Sequence, residues 1–191
     1  MAGTQQPLAW IRVPEEDQVP EEVRQLAKPS VDRLGIFPHV FRIFALRPEH
    51  CVRWWQYYDY LMRGPSNLSK VQREMIAVVV SSLNRCHYCS TSHGAALRLL
   101  TEDPVLADTL ATDYRHAPLD PKDRAMLDFA AKLTTEPHRM TQADVEGLRA
   151  AGWSDEDIFD IAQVASMFNF TNRLANALGW HPNPEYHRLG R

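Results

Sequence analysis

Two cysteines and a histidine lie close together in the short stretch NRCHYCSTSH, residues 84–93. If a helix begins near Cys86, then Cys86 and Cys89 lie one turn apart on one face, about 5 Å between Cα atoms, a separation that a disulfide can span. His93 follows one turn later and shares that face. The first turn of a helix carries partial positive charge, which favours thiolate over thiol. The spacing therefore supplies a nucleophile, a thiol that can form a disulfide with it, and a base.

These groups are the ones that a thiol peroxidase needs. A thiolate attacks a peroxide oxygen and becomes a sulfenic acid, and a neighbouring thiol condenses with it before further oxidation. Glu74 lies in an apolar segment upstream. A lone glutamate on a helix is usually solvated, but apolar neighbours predict partial burial and therefore a polar partner. His93 is the predicted partner, because a carboxylate bound to an imidazole fixes its tautomer and raises its basicity.

Three other interpretations of the cysteine pair stay open. Zinc could bind two cysteines and a histidine, although a structural site needs a fourth ligand and the sequence has no second CxxC and no HxxxH. A thioredoxin-like oxidoreductase would place its CxxC after a strand, whereas the flanking sequence here is helical in pattern. Finally, the cysteines could be small buried hydrophobic residues without chemistry.

Prolines and capping residues mark where the helices begin. Asp103-Pro104 and Asp120-Pro121 place an acidic cap before proline, and Ser69 with Gln72 forms a capping box. The apolar residues between these signals recur at helical spacing. The sequence predicts an all-α fold of about eight helices, near residues 20–34, 38–46, 48–63, 69–83, 86–101, 103–115, 120–135 and 141–178, the last interrupted near Gly152.

The predicted organisation is a single helical domain over residues 21–180. An N-terminal arm (1–20) and a C-terminal tail (181–191) flank it, and such arms often pack on a neighbouring subunit. The chain has 191 residues, long enough to bury a substantial core.

Composition excludes several classes of function. A net charge of -3 argues against nucleic acid or an anionic membrane as partner. The longest apolar run, 75–80, is too short to cross a bilayer, and the first residues lack a signal peptide. Three cysteines make no disulfide framework, so a reducing cytoplasm fits best. No phosphate-binding loop, flavin motif or nicotinamide motif is visible, so no cofactor is expected.

The motif Glu74, eleven intervening residues, Cys86-x-x-Cys89 and x-x-x-His93 resembles the signature of alkylhydroperoxidase D-like proteins. These belong to the carboxymuconolactone decarboxylase superfamily, and the chain is most similar to its peroxidase-related branch. The specific match covers residues 69–97. A looser likeness, Pro-His-Val-Phe followed by an Ala-Leu-Arg-Pro helix, extends it over residues 38–62.

The resemblance implies an all-helical homo-oligomer that reduces hydroperoxides through its CxxC pair. It makes Cys89 the attacking thiol, Cys86 the more exposed resolving thiol, His93 the proton acceptor and Glu74 its support. Helix position alone favours Cys86 as the more acidic thiol. Tyr88 stands where the family has a histidine. Tyrosine has a pKa of about 10 and is therefore a poor base near neutral pH. Which residues complete the proton relay in this chain stays open.

The predicted function is therefore a cytoplasmic antioxidant hydroperoxide reductase, cycling between a dithiol and a Cys86–Cys89 disulfide. Its electrons would come from an external dithiol donor, such as a lipoyl or thioredoxin-like protein. Two alternatives remain. One is a redox-responsive oligomeric scaffold without turnover. The other is a carboxymuconolactone decarboxylase-like enzyme that acts on a small cyclic acid or lactone, with the thiols incidental.

A second pattern predicts two related helical halves. A shift of 83 residues along the chain preserves the spacing of the candidate site while replacing its thiols with amides. It aligns Glu74, Cys86, Cys89 and His93 with Asp157, Asn169, Asn172 and Asn176. If this is a faded copy, the helices holding 157–176 should superpose on those holding 74–93.

The remaining candidates have simpler explanations. An aromatic cluster is predicted to be core or subunit interface, with a substrate pocket as the alternative; its members are Trp54, Trp55, Tyr57, Tyr58 and Tyr60. Cys51 lies on the same helix face as this cluster and is predicted to be a buried residue with a packing role only. The histidines outside the motif are predicted to be solvated; they are His39, His50, His116, His138, His181 and His187.

Overall fold

The computed structural model describes residues 7–191, so the first six residues of the predicted N-terminal arm lie outside it. Over that range the chain forms nine α-helices and no strand, which confirms the all-α prediction. The helices are α1 (Glu21–Leu34), α2 (His39–Phe44), α3 (Pro48–Arg63), α4 (Lys70–Leu83), α5 (His87–Thr101), α6 (Pro104–Asp113), α7 (Pro121–Thr135), α8 (Gln142–Ala150) and α9 (Asp155–Leu178). The interruption predicted near Gly152 separates α8 from α9, and Gly152 has a positive φ of 89°.

The predicted caps begin the helices that carry them. At the start of α4 the Ser69 hydroxyl accepts the Gln72 backbone N–H at 3.1 Å, and the Gln72 side chain accepts the Ser69 N–H at 2.9 Å. Asp103 and Asp120 likewise accept backbone N–H groups in the first turns of α6 and α7. These bonds satisfy N–H groups that have no partner within the helix, so local sequence sets the boundaries.

Helix α4 lies at the centre of the main core. Every residue from Met75 to Ser81 is buried, and the helix packs against α5, α6, α7 and α9. A helix that is apolar all round must be surrounded by other elements, and this one carries Glu74 into the interior with it. None of the helices between residues 7 and 191 combines the length and apolar character needed to cross a membrane.

Both terminal segments pack on the helical domain of the same chain. The Trp10 N–H donates to the Leu178 carbonyl at 2.8 Å, and the His181 N–H donates to the Leu8 carbonyl at 2.9 Å. Tyr186 in the tail is buried, and the Arg98 guanidinium donates to its carbonyl at 2.6 Å. These contacts hold the tail against α5, the helix that follows the cysteine pair.

The faded copy predicted at a shift of 83 residues is wrong. Residues 157–176 lie within the single helix α9, whereas residues 74–93 span α4, a tight turn and α5. A continuous helix cannot superpose on two helices joined by a turn. The matching spacing therefore has another cause, which the contacts of the α9 asparagines identify.

Candidate active site

The cysteine pair lies where α4 ends and α5 begins. Arg85 adopts a left-handed conformation with φ 52°, and its N–H donates to the Ser82 carbonyl at 2.8 Å. The Cys86 N–H reaches back to the Ser81 carbonyl, also at 2.8 Å. These two bonds form a Schellman motif, which usually has glycine at the left-handed position. Cys86 is also the N-cap residue of α5, so one residue closes the first helix and opens the second.

Both thiols are free and buried, one helical turn apart. The expectation that Cys86 is the more exposed thiol is wrong, because Cys86 is 0% exposed and Cys89 is 4% exposed. Cys86 is covered because the α4–α5 turn packs into an apolar cluster with Ile43 and Trp180. Cys89 belongs to the same cluster but also lines a cavity with aromatic walls, which Cys86 does not. Of the two sulfurs, Cys89 is therefore the one that a molecule in the cavity meets.

The two thiols differ in acidity. The Cys89 thiol lowers the pKa of Cys86 to about 7, and the Cys89 backbone N–H and the charge of His93 act in the same direction against the effect of burial. The pKa of Cys89 is raised by Cys86 and by burial. The pair therefore gives up its first proton from Cys86, as its position at the helix start predicts. Cys86, which does not line the cavity, is the more acidic thiol, and Cys89, which does, keeps its proton.

Glu74 and His93 form the contact that the sequence predicts. The Nδ1 atom of His93 lies 2.6 Å from Oε2 of Glu74, and the two side chains are 13% and 14% exposed. Both residues line the cavity with Cys89. With Nδ1 donating to the carboxylate, Nε2 is the ring nitrogen left to exchange protons. No hydrogen bond joins the ring to either thiol in the part of the chain that the structure covers.

Tyr88 has a structural role at its position between the cysteines. Its ring is buried and packs edge-on against Trp180, at 5.6 Å between centroids. Its hydroxyl oxygen accepts the Val40 backbone N–H at 2.9 Å, which ties α5 to the start of α2. Burial raises the pKa of Tyr88 well above its ordinary value. Tyr88 therefore cannot act as the base that a histidine would supply there.

Aromatic side chains wall a cavity of about 130 Å³ above Cys89. The prediction that the aromatic cluster is core or interface is correct for only part of it. Trp54, Trp55 and Tyr58 pack against the core and line this cavity as well, whereas Tyr57 and Tyr60 are exposed. The rings stack on one another, with Trp54 and Tyr58 at 5.1 Å between centroids. The inner three are thus both core residues and the wall of a cavity, and their role towards a substrate stays a prediction.

Sequence reasoning missed how the asparagines of α9 contact the turn that carries the thiols. The Asn84 side-chain amide donates to the oxygens of Asn169 and Asn172, each at 3.0 Å, and Asn172 donates to the Ser81 hydroxyl at 3.0 Å. Asn176 donates to the Asn84 carbonyl at 2.9 Å. Asn172 is fully buried and lowers the pKa of both thiols. The available signal was the spacing of three amides on one face of an apolar helix, because buried amides need partners.

The other candidate residues from the sequence do not line the cavity with Cys89. Cys51 is a buried filler as interpreted, in a different cluster, and burial raises its pKa to about 12. The exposed histidines are His50, His116, His138 and His187, which confirms that part of the prediction. His39 and His181 are half-buried instead, because the His39 ring contacts the His181 carbonyl at 3.0 Å. Within residues 7–191 no group of three or more His, Cys, Asp or Glu is arranged to hold a metal ion.

The chain is similar to several known proteins in sequence and in fold. The model of the Carboxymuconolactone decarboxylase family matches residues 48–104. A peroxidase-related protein of Ralstonia eutropha JMP134, described as an alkylhydroperoxidase AhpD core, is 40% identical, with 98% of each chain covered and a TM-score of 0.93. A peroxidase-related protein of Silicibacter sp. TM1040 is 43% identical, with 100% of each chain covered and a TM-score of 0.93. The debrominase Bmp8, in a complex with 2,3,4-tribromopyrrole, is 16% identical, with 97% of this chain and 96% of that chain covered and a TM-score of 0.80, a likeness of fold alone.

Proposed function

Because this chain belongs to the carboxymuconolactone decarboxylase superfamily, we propose that it is a thiol-dependent hydroperoxide reductase. The observation that carries the proposal is the joint placement of three groups on one cavity. Cys89 and the hydrogen-bonded pair Glu74–His93 line it, and Cys86 lies one turn from Cys89, behind the cavity wall. A nucleophile, a base with its supporting carboxylate and a resolving thiol are the parts that such a reaction needs.

In the first step the Cys89 sulfur attacks the terminal oxygen of the hydroperoxide. His93 takes the thiol proton through Nε2, and Glu74 stabilises the imidazolium that forms. The O–O bond breaks, the alkoxide takes the proton from His93 and leaves as an alcohol, and Cys89 becomes a sulfenic acid. Sulfur loses two electrons and the peroxide gains them. The raised pKa of Cys89 makes this base necessary, because little free thiolate forms there at neutral pH.

In the second step Cys86 resolves the sulfenic acid. Cys86 is the thiol whose pKa is lowered. The charge of His93 and the Asn172 side chain, which remain after Cys89 is oxidised, act in that direction. The thiolate attacks the Cys89 sulfur, the S–O bond breaks, and hydroxide leaves as water after taking a proton. The product is a Cys86–Cys89 disulfide, which one turn of helix can accommodate. The buried acidic thiol thus suits the resolving role, and the cavity-lining thiol suits the attack.

An external dithiol completes the cycle by returning two electrons. Its thiolate would attack the disulfide and leave the pair reduced. A lipoyl or thioredoxin-like protein is the proposed donor, in a reducing compartment such as the cytoplasm. The complete enzyme is proposed to be a homo-oligomer. Because Tyr88 is engaged with Val40, the proton relay of this chain consists of His93 and Glu74 without a second imidazole beside Cys89.

The test is peroxide consumption with a dithiol reductant. Cys89→Ser should abolish turnover, and His93→Ala should reduce it by about a hundredfold, a common contribution of a general base. Cys51→Ala is the matched control, since it removes a buried thiol from another cluster and should leave turnover intact. A disulfide that forms without turnover would instead favour the redox-responsive scaffold. Activity on a small cyclic acid that ignores both Cys89→Ser and His93→Ala would favour the decarboxylase-like enzyme.

A further inference from the structure

The charges that line the cavity are unevenly distributed. Three charged side chains contribute to its wall, the guanidinium groups of Arg33 and Arg63 and the carboxylate of Glu74. Glu74 is half-buried and contacts His93. The two arginines are largely exposed and therefore lie towards the opening. The chain carries a net charge of -3, so a cationic entrance runs against its average charge.

The two arginines differ in how they are engaged. Arg33 lies in the last turn of α1, and its guanidinium has no hydrogen bond or ion pair with any residue from 7 to 191. The Arg63 guanidinium lies 5.3 Å from the centre of the Trp55 ring and pairs with Asp59, which is itself 46% exposed. An exposed pair of this kind contributes little energy, so Arg63 can exchange its partner for a ligand. The entrance therefore offers one unengaged cation and one weakly engaged cation.

The interior of the cavity is apolar and small. Trp54, Tyr58 and Phe168 contribute ring surfaces to its wall. A volume of about 130 Å³ is close to that of engineered cavities that hold benzene. The inner part therefore accommodates one ring or a short branched chain beside Cys89, and the rest of a larger ligand would have to lie at the entrance.

We propose that this cavity selects hydroperoxides in which a ring-sized apolar group carries a carboxylate, and that Arg33 and Arg63 bind that carboxylate. The hydroperoxide end points inward to Cys89, the apolar group contacts the aromatic walls, and the anion stays at the entrance. Guanidinium groups suit this task because their planar donors match a carboxylate bidentately. The inference rests on the proposed peroxidase function for its choice of substrate, but its binding part can be tested separately.

The kinetic test compares cumene hydroperoxide with its para-carboxylate derivative, since the two differ only in the anion. We expect kcat/KM to be about tenfold higher for the carboxylate. The double substitution Arg33→Gln with Arg63→Gln should bring the ratio of the two kcat/KM values close to one, by lowering the value for the carboxylate. Arg53→Gln is the matched control, because Arg53 is an exposed arginine on α3 outside the cavity. Equal kcat/KM for both peroxides in the wild-type protein would overturn the inference.

The binding test uses ligands without a peroxide group. In Cys89→Ser, quenching of tryptophan fluorescence should report 4-isopropylbenzoate binding at Trp54 and Trp55, with 4-isopropylbenzyl alcohol as the neutral comparison. We expect about tenfold tighter binding of the carboxylate, reduced by salt and lost in the double arginine variant. If this selectivity holds while neither peroxide is turned over, the peroxidase proposal fails and the inference on ligand class stands. If turnover occurs but binding shows no selectivity, the inference fails alone.

Discussion

Two segments of this chain share a polar spacing and fold differently. Residues 74–93 and residues 157–176 place four polar or thiol residues at matching positions. The first segment breaks into α4 and α5, with the cysteines at the joint, and the second continues as α9. Identical spacing therefore leads to a turn that carries two thiols in one case and to a row of amides along a single helix in the other.

The difference arises at the positions between the matched residues. Arg85 takes the left-handed conformation that ends α4, and Cys86 then caps α5. Helix α9 continues without such a break until Gly179, whose φ is 62°. The asparagines of α9 then lie on one face and hydrogen-bond to the turn. The second segment is thus a support for the first, and spacing that looks like a repeat can mark two surfaces that meet.

Asn172→Ala tests the support that α9 gives to the turn, and it should have the largest effect, on the free energy of unfolding. The substitution leaves the buried Ser81 hydroxyl and the Asn84 amide each without one partner, and such losses cost about 1–3 kcal/mol per group. We expect the free energy of unfolding to fall by about 3 kcal/mol in urea denaturation. Asn176→Ala, which removes one exposed bond to the same turn, should cost about 1 kcal/mol. Equal losses would contradict the view that the buried amide is the central support.

The second-largest expected effect is on catalysis and concerns residues 74–93 alone. Glu74→Gln keeps the shape of the side chain and removes the charge that stabilises a protonated His93. We expect kcat/KM with hydroperoxide to fall about thirtyfold, with little change in unfolding, because general-base catalysis depends on that charge. Glu146→Gln on α8 is the control, an exposed carboxylate remote from the cavity. Full activity in Glu74→Gln would remove the carboxylate from the mechanism.

A smaller effect is the dependence of stability on pH. The folded-state pKa of Cys86 is lowered from the ordinary thiol value of 9.0 to about 7, so the unfolded chain binds more protons between these values. The free energy of unfolding should therefore rise by about 2 kcal/mol as the pH increases from 7 to 9, and the gain is lost as the pH falls through 7. The raised pKa of Cys89 opposes this only above pH 9.

Cys86→Ser provides the control for this pH dependence. The rise in unfolding free energy should be absent in this variant, and the thiolate absorbance that titrates near pH 7 should disappear with it. A rise that persists in Cys86→Ser would assign the effect to another group. A thiolate that appears only near the ordinary value in the wild-type protein would show that the turn does not activate Cys86.

The smallest expected effect tests why residues 74–93 form two helices joined by a turn. Arg85 holds a left-handed conformation that costs a residue with a Cβ atom about 1–2 kcal/mol. Arg85→Gly should raise the free energy of unfolding by about 1 kcal/mol, after the entropy cost of glycine, whereas Arg85→Ala should not. The urea midpoint measures both. If glycine destabilises the protein as much as alanine, the turn is held by contacts of the Arg85 side chain and not by its backbone.

Much of the fold follows from local sequence. Capping residues and prolines placed the helix starts within one or two residues, because they satisfy N–H groups that only neighbours along the chain can reach. The contact of Glu74 with His93 also followed from apolar neighbours that predict burial. The exposure of Cys86 was predicted wrongly, because its cover comes from Ile43 and Trp180, residues distant along the chain.

The sequence alone determined which groups are available and roughly where each helix begins, since propensity, capping and the spacing of side chains act over a few residues. Only the tertiary structure decided which thiol lines the cavity and which helix supports the turn that carries the pair. Burial and the partners of buried polar groups depend on contacts between distant segments, and these contacts set access to the thiols.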